Sequence, residues 1–282
     1  MDYDWHGTKD WIPVLDGIDY RPDGSLRIYG YQYDLYGEKG HDGVEMDLLV
    51  IDDDIKAKYP SFDGRIRNLY IHNVGSLNNL SFLRFFLGLK VLYIYKCFNL
   101  NPSVVFDRDY DMPELEEVRI AKSQRNICFG YLPSAHTIKK LTLRKCAYIR
   151  ADGYPNGFPN LKTLVLDSCW EIPDLMGFHC FYNLESLQII GSRDFCSLQK
   201  GHTYPKLKEL VVAPCLVKDL SPIKKNLPHL KRLKLIEASR LTHLNDLKGM
   251  ESLEEFVAVD CPNLIDTSAL STMPSLTHHH ID

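Results

Sequence analysis

Three consecutive histidines, His278 to His280, are the first candidates for chemistry in this chain. Imidazole is the commonest metal ligand among side chains. In an extended strand, however, neighbouring side chains point to opposite sides, so His279 would face away from His278 and His280. The three rings therefore cannot hold one ion together while they form a strand, and we predict no metal site. His278, His280 and Asp282 share one face and stay a candidate contact site.

Eight cysteines are the second possible source of chemistry. No two of them stand at the C-x-x-C spacing, and none lies near a histidine pair in a zinc pattern. The amino terminus, MDYDWHGTKDW, has no basic and then apolar secretion signal. We therefore expect reduced thiols and a cytoplasmic or nuclear protein.

Catalytic motifs are missing from the sequence. There is no G-x-S-x-G elbow, no phosphate-binding P-loop, no H-E-x-x-H and no G-x-G-x-x-G. The run Asp52 to Asp54 could be imagined as a cation site, but a bare acidic run is usually a solvated turn. We predict that the protein is not an enzyme and that it uses no cofactor.

Composition excludes two further classes of partner. No run of 18 apolar residues is present that could cross a membrane. The formal net charge is −4, and the basic excess after residue 60 is mild, whereas nucleic-acid binding usually requires a strongly basic face. We expect neither a membrane nor a nucleic acid as partner.

One repeated frame fills most of the chain. The segments FPNLKTLVLDSCWEI, from Phe158, and YPKLKELVVAPCLV, from Tyr204, read apolar, two variable, apolar, one variable, apolar, two variable and then Cys. Units also begin upstream at Leu89, at Ile66 and, more weakly, at Met46. The first apolar residues that recur every 23 residues are Leu115, Ile138, Leu161, Leu184, Leu207, Leu230, Leu253 and Leu276.

This frame resembles the leucine-rich repeat family, L-x-x-L-x-L-x-x-(N/C)-x-L, over roughly residues 46–282. The resemblance implies an α/β solenoid, a horseshoe with a parallel β-sheet on its concave face. The ninth place of the frame, where the family puts an inward-facing Asn or Cys, predicts packed rather than reactive thiols. The cysteines at that place are Cys97, Cys146, Cys169, Cys215 and Cys261.

Two subclasses of the family share features with this chain. The segment LVKDLSPIKKNLPHLKRLKL is similar to repeats of internalins and of phosphatase-regulating leucine-rich proteins. The cysteine-bearing units are similar to those of plant intracellular immune receptors and F-box proteins. The subclass therefore stays open.

Two regions are predicted along the chain. Residues 1–45 fit the repeat poorly and carry turn signals at Asp23-Gly24 and Gly37 to Gly43, which predicts a β-hairpin cap. Residues 46–282 form an array of about ten or eleven units, of which the last is truncated. We expect either a partner over the last strand or a natural protein that continues past Asp282.

Strand periodicity predicts which side chains reach the concave face. Positions four and six of each unit point inward, and positions three, five and seven point outward. Tyr and Arg typically anchor protein interfaces, and exposed apolar rows often mark contact surfaces. An aromatic and basic patch comprises Tyr70, His72, Tyr93, Tyr95, Arg119, Lys140 and Arg144. An aliphatic patch comprises Val165, Ile190, Val211, Ile236, Val257 and Val259.

The family resemblance implies a non-enzymatic module that binds a protein partner through this concave face. The alternative is a substrate-recognition or sensor subunit of a larger complex, of the ubiquitin ligase or immune receptor type.

Overall fold

A computed structural model describes most of the repeat region. The described residues are 18–20, 25–29, 67–72, 87–96, 112–122, 127–128, 136–146, 149–150, 158–175, 178, 181–198 and 203–282. Only backbone is described for 18–20, 25–29, 72, 127–128 and 149–150. The unit predicted at Met46, the run Asp52 to Asp54, Cys97 and Cys180 lie outside the described residues.

One twelve-stranded sheet runs through the described part of the chain, and a second sheet joins β6 (Ile127–Cys128) to β8 (Ile149–Arg150). In the large sheet, β1 and β2 are antiparallel and all later neighbours are parallel. Its strands, in spatial order, are β1 (Ile18–Tyr20), β2 (Ser25–Tyr29), β3 (Asn68–His72), β4 (Val91–Tyr95), β5 (Glu117–Ala121), β7 (Lys140–Arg144), β9 (Thr163–Asp167), β10 (Ser186–Ile190), β11 (Glu209–Ala213), β12 (Arg232–Ile236), β13 (Glu255–Val259) and β14 (His278–Ile281). The predicted parallel-sheet solenoid is confirmed.

The amino-terminal end of this sheet is formed by β1 and β2. β2 lies beside β3 with Ser25 opposite Asn68 and Tyr29 opposite His72, so it continues the parallel arrangement. The division of the chain into a cap at 1–45 and an array from residue 46 stays a prediction.

Neighbouring units are held together by a recurring backbone contact at position two. The carbonyl of Lys139 accepts the amides of Lys162, at 2.8 Å, and Thr163, at 3.1 Å. The same pair of bonds joins each unit to the next, including the 26-residue step, where the Lys90 carbonyl accepts the amides of Glu116 and Glu117. The three extra residues of that step therefore leave the register of the sheet unchanged.

The core follows the predicted inward positions. Leu164, Leu166, Leu187 and Ile189, at positions four and six, are at most 2% exposed. Each such side chain contributes about 1.5–3 kcal/mol through burial, and a single unit could not bury them alone. A further buried row stands three residues before position one and comprises Met112, Phe158, Phe181, Tyr204, Leu227, Met250 and Met273.

Position nine is a packing position, as predicted for the cysteines there. The Cys169 sulfur lies 3.3 Å from the carbonyl oxygen of Leu143, at position six of the preceding unit. Cys146 and Cys261 make the equivalent contacts at 3.6 and 3.9 Å. Burial raises the pKa of the Cys215 thiol to about 11, so this group is protonated at neutral pH and is a poor nucleophile.

Position eight turns the chain out of each strand with a left-handed backbone. Side chains other than glycine rarely adopt this conformation. In the unit that begins at Leu207, Pro214 occupies the eighth place after a cis peptide bond. The positive-φ residues at position eight, with φ between 49° and 67°, are Lys96, Lys122, Lys145, Ser168, Gly191, Glu237 and Asp260.

The return segments contain little helix within the described residues. One α-helix, α1 (Ser221–Asn226), begins with Pro222 in its first turn, where a proline is well tolerated. Two short 3-10 helices span Asn245–Leu247 and Ser268–Thr272.

Two glycines with nearly the same φ, Gly191 at +67° and Gly249 at +66°, allow backbone strain to be separated from crowding. A Cβ on Gly191 would lie 2.8 Å from the Ser168 Oγ, whereas a Cβ on Gly249 would meet nothing within 4 Å. We expect Gly249→Ala to lose about 1 kcal/mol from the positive φ alone, and Gly191→Ala to lose more. Urea unfolding of both variants measures this, and equal losses would contradict the described packing.

Thiol reactivity tests the packing at position nine. With iodoacetamide at about pH 8, we expect the exposed Cys196 to be modified quickly in the native protein. The buried Cys169 and Cys215 should react only after unfolding, because burial keeps both sulfurs out of contact with the reagent and keeps the Cys215 thiol protonated. Mass spectrometry of peptides locates each modification, and rapid native labelling of Cys215 would refute the packing.

Candidate partner-binding face

The outward side chains of the large sheet form straight rows across the strands, because residues 23 apart are paired in register. Position five aligns Tyr70, Tyr93, Arg119, Thr142 and Val165 on successive strands. The row continues through Gln188, Val211, Lys234, Val257 and His280. The predicted site residues on this face are Tyr70, Tyr93, Tyr95, Arg119, Lys140, Arg144, Val165, Val211 and Val257, and the backbone of His72 lies in register with Tyr95.

The first three members of the position-five row stack on one another. The rings of Tyr70 and Tyr93 lie 4.3 Å apart with an interplanar angle of 12°. The guanidinium carbon of Arg119 lies 4.7 Å from the centre of the Tyr93 ring, which is a cation–π contact. Burial is the main reason that the pKa of Tyr93 rises to about 12, so its hydroxyl stays protonated. We call these three residues the Tyr-Arg stack.

Glu117 fixes the cationic end of this stack. Its carboxylate accepts the Arg119 Nε–H at 2.6 Å and lies 3.1 Å from the Lys140 ammonium. Burial alone would raise the pKa of Glu117, but the hydrogen bonds from Arg119 and Lys140 outweigh it and hold that pKa below its ordinary value. Arg119 is therefore oriented over Tyr93 before any partner arrives.

Tyr95, in the position-seven row, makes cation–π contacts with two lysines. The ammonium groups of Lys96 and Lys122 are 5.5 and 5.6 Å from the centre of its ring. Ala121 also stands at position seven, which the sequence predicts to point outward, and it is fully buried there. Its methyl group is short, and the longer Tyr95 and Arg144 stand beside it in the row.

Arg144 is the remaining basic member of the predicted patch. Its Nε lies 3.0 Å from a carboxylate oxygen of Asp167 on the next strand. The structure thus separates the basic residues of the patch into Arg119 and Lys140, which share Glu117, and Arg144, which is paired with Asp167.

The aliphatic patch is divided between two rows. At position five, Val165, Val211 and Val257 alternate with Gln188 and Lys234 in register, so that row is not continuously apolar. The continuous aliphatic row lies at position seven, where Ile190 is 37% exposed. That row comprises Ile190, Ala213, Ile236 and Val259.

The row that sequence reasoning missed is position eight. It begins with Lys96, Lys122 and Lys145 on three successive units, immediately after β4, β5 and β7. The signal in the sequence was the same residue type at the same place of three consecutive repeats.

A different charged row follows the opposite ends of the strands. At position two, lysines and glutamates are interspersed and pair across units, as in Lys139–Glu116 at 2.8 Å and Lys208–Glu185 at 2.7 Å. These side chains are largely exposed, so each pair contributes about 1 kcal/mol or less. The row is a solvated rim of the sheet.

The final strand, β14, pairs with β13 and places His279 opposite the buried Phe256, on the inward side. His278 and His280 lie opposite Glu255 and Val257, on the outward side. Among the residues that the structure describes, no group of three or more His, Cys, Asp or Glu side chains is arranged to hold a metal ion. Within the same residues, no helix combines the length and apolar character of a membrane span.

Comparison with known structures identifies the fold. The leucine-rich repeat domain of the type III effector XopL superposes with a TM-score of 0.51 and 22% identity, over 76% of this chain and 68% of that domain. The chain has the leucine-rich repeat fold. No protein-family model matches it. The internalin InlF of Listeria monocytogenes has a TM-score of 0.49 and 16% identity, over 78% of this chain and 68% of that protein.

One curated relative is also similar in sequence to this leucine-rich repeat chain. It is a protein of Trypanosoma equiperdum with the provisional name of adenylate cyclase regulatory protein, 28% identical over 166 residues. The match covers 58% of this chain and 22% of the relative's length.

The ion-pair cluster around Glu117 gives a pH-dependent prediction. A carboxyl group whose pKa is lowered by folding stabilises the protein above its unfolded pKa, and this contribution is lost as pH falls through the folded pKa. We expect Glu117→Gln to lower the free energy of unfolding by about 1 kcal/mol at pH 7. The deficit should shrink as pH approaches 3.

Denaturant unfolding at several pH values measures both effects. Glu116→Gln is the matched control, because Glu116 is exposed at position two and pairs with Lys139 in solvent. Its effect should stay within a few tenths of a kcal/mol. A Glu117→Gln deficit that is absent at pH 7, or unchanged at low pH, would show that Glu117 does not organise the cluster.

Proposed function

We propose that this leucine-rich repeat protein is a non-enzymatic recognition module that binds a protein partner through its concave face. The observation that carries this proposal is the Tyr-Arg stack, Tyr70, Tyr93 and Arg119, which lies on the neighbouring parallel strands β3, β4 and β5. Tyrosine and arginine supply most of the binding energy in many protein interfaces.

Preorganisation is the physical reason that this arrangement suits binding. Association costs free energy when flexible side chains must be ordered at the interface. Here the contact of Arg119 with Tyr93 and its bond to Glu117 have already fixed the arginine. Tyr70, Tyr93 and Arg119 are all half-buried, so their aromatic and guanidinium surfaces can contact a partner. Little side-chain conformational entropy would be lost when they bind.

The partner-binding residues in this proposal come from both the aromatic and basic patch and the aliphatic patch. Tyr95, Lys140 and Arg144 extend the Tyr-Arg stack, and His72 lies in the same row as Tyr95. Val165, Val211 and Val257 supply apolar contacts along the rest of position five.

A narrower form of the proposal makes the protein the recognition part of a larger regulatory complex, of the ubiquitin ligase or immune receptor type. The Trypanosoma equiperdum relative favours this form, because its name is that of a regulatory protein. The match to this chain spans 22% of the length of that relative. A reducing compartment, the cytoplasm or nucleus, suits the free thiols of Cys169, Cys215 and Cys261.

The double variant Tyr93→Ala/Arg119→Ala tests the proposal. We expect about tenfold or greater loss of partner capture. Removing two interface anchors of this type should cost more than about 1.4 kcal/mol of binding free energy in total. The measurement is quantitative pull-down from native lysate, followed by mass spectrometry.

The matched control is Glu116→Ala/Lys139→Ala, which removes an exposed ion pair from the rim at position two. Circular dichroism and thermal unfolding confirm that both variants keep the fold. Partners that the control retains and the Tyr93/Arg119 variant loses support the proposal. Equal capture by the wild type and the Tyr93/Arg119 variant would rule out this patch.

A further inference from the structure

We propose that the lysines at position eight, Lys96, Lys122 and Lys145, form a docking edge for an acidic segment of the partner protein. This inference rests on the proposed function, because it names the chemistry of the partner that the concave face binds. We call these three residues the lysine row.

The backbone brings the lysine row together. Lys96, Lys122 and Lys145 follow three neighbouring strands, which in a parallel sheet are about 4.8 Å apart. The amide of Lys96 donates to Ala121, next to Lys122, and the amide of Lys122 donates to Arg144, next to Lys145. Three like charges are therefore held side by side along one edge of the sheet.

The left-handed backbone does not explain why these residues are lysines. Glycine, asparagine and aspartate occupy positive φ most readily, whereas lysine does so at a cost. Lys96, Lys122 and Lys145 have φ of 55°, 49° and 51°. Ser168, Glu237 and Asp260 share this φ at position eight, so the repeat sets the backbone conformation and leaves the residue type to be explained by the side chain.

The lysine row also differs from the lysines of the opposite rim. At position two, Lys139, Lys162 and Lys208 each pair with a glutamate. Across the part of the chain that the structure describes, no carboxylate lies within ion-pair distance of Lys96, Lys122 or Lys145. Within the described residues, the lysine row therefore lacks the glutamate partners that the lysines of position two have.

Tyr95 connects the lysine row to the concave face. The ammonium groups of Lys96 and Lys122 both lie within 5.6 Å of the centre of its ring, which holds both lysines beside the concave face. The edge is therefore continuous with the face that carries the Tyr-Arg stack. A partner chain that crosses the face can contact both.

The rest of position eight distinguishes an acidic peptide from a nucleic acid. After the lysine row, the position holds Ser168, Gly191 and Pro214, and it then ends in Glu237 and Asp260. A uniformly charged polyanion that followed this edge would be attracted by the first three units and repelled by the last two. A peptide can carry its acidic residues in one short segment, and it meets no such repulsion.

The test uses the full chain and a fluorescein-labelled peptide of about ten alternating glutamate and serine residues. Fluorescence anisotropy at about 50 mM salt gives the affinity, because exposed charges are only weakly screened under that condition. We expect Lys96→Asn/Lys122→Asn/Lys145→Asn to bind about tenfold more weakly, which is the combined effect of three exposed ion pairs. Asparagine accepts positive φ, so thermal unfolding should show no loss of stability.

The matched control is Lys90→Asn/Lys139→Asn/Lys162→Asn, which removes the same charge from position two. This control should bind the peptide within about twofold of the wild type, because its lysines lie at the opposite ends of the strands. As a gain of function, Lys96→Glu/Lys122→Glu/Lys145→Glu should prefer a lysine–serine peptide to the glutamate–serine peptide.

Several outcomes would overturn the inference. One is a wild type that fails to bind the peptide, and another is a Lys96/Lys122/Lys145 asparagine variant that binds it as tightly as the wild type does. A third such outcome is a control variant that loses as much affinity as the Lys96/Lys122/Lys145 asparagine variant. An oligothymidylate of the same net charge that bound more tightly than the peptide would assign the row to nucleic acid. If the asparagine variant binds normally while the Tyr93/Arg119 variant loses its partner, the proposed function stands and this inference fails.

Discussion

The backbone pairing between units 23 residues apart is the constraint on which the rest of the structure depends. The carbonyl at position two receives two amides from the following unit, and this contact survives even the 26-residue step between Leu89 and Leu115. Once that register is fixed, positions four and six must stack as an apolar core, because no single unit can bury them. The same register aligns positions five, seven and eight into rows. The residue types at one position of successive units therefore determine the chemistry of one row of the surface.

The organisation of the face follows from neighbours within these rows. Tyr93 lies over Tyr70 because both occupy position five on adjacent strands, and Arg119 reaches the Tyr93 ring for the same reason. Glu117, two residues before Arg119 and therefore on the same side of β5, can hold it in place. Where a basic residue and a carboxylate occupy the same position on adjacent strands, they form an ion pair within the protein, as Arg144 and Asp167 do.

Much of the fold and part of the site could be predicted from the sequence. The family resemblance implied the parallel solenoid and the buried cysteines of position nine, and strand periodicity identified the inward residues such as Leu164 and Leu166. It could not foresee that Ala121 would be buried, since this depends on the size of its neighbours in the row. The lysine row was missed because strand alternation ends at position seven, and lysine does not signal a left-handed turn in the way that glycine or asparagine does.

The proposed binding residues therefore lie on one face, in rows that the repeat itself lays out. Site-directed photo-crosslinking tests this most directly, with benzoylphenylalanine placed in turn at Thr142, at the centre of position five, and at Lys139, on the rim. We predict crosslinks to the protein partner from Thr142 and few from Lys139. Crosslinks that form from Lys139 and are absent from Thr142 would contradict the assignment of the concave face.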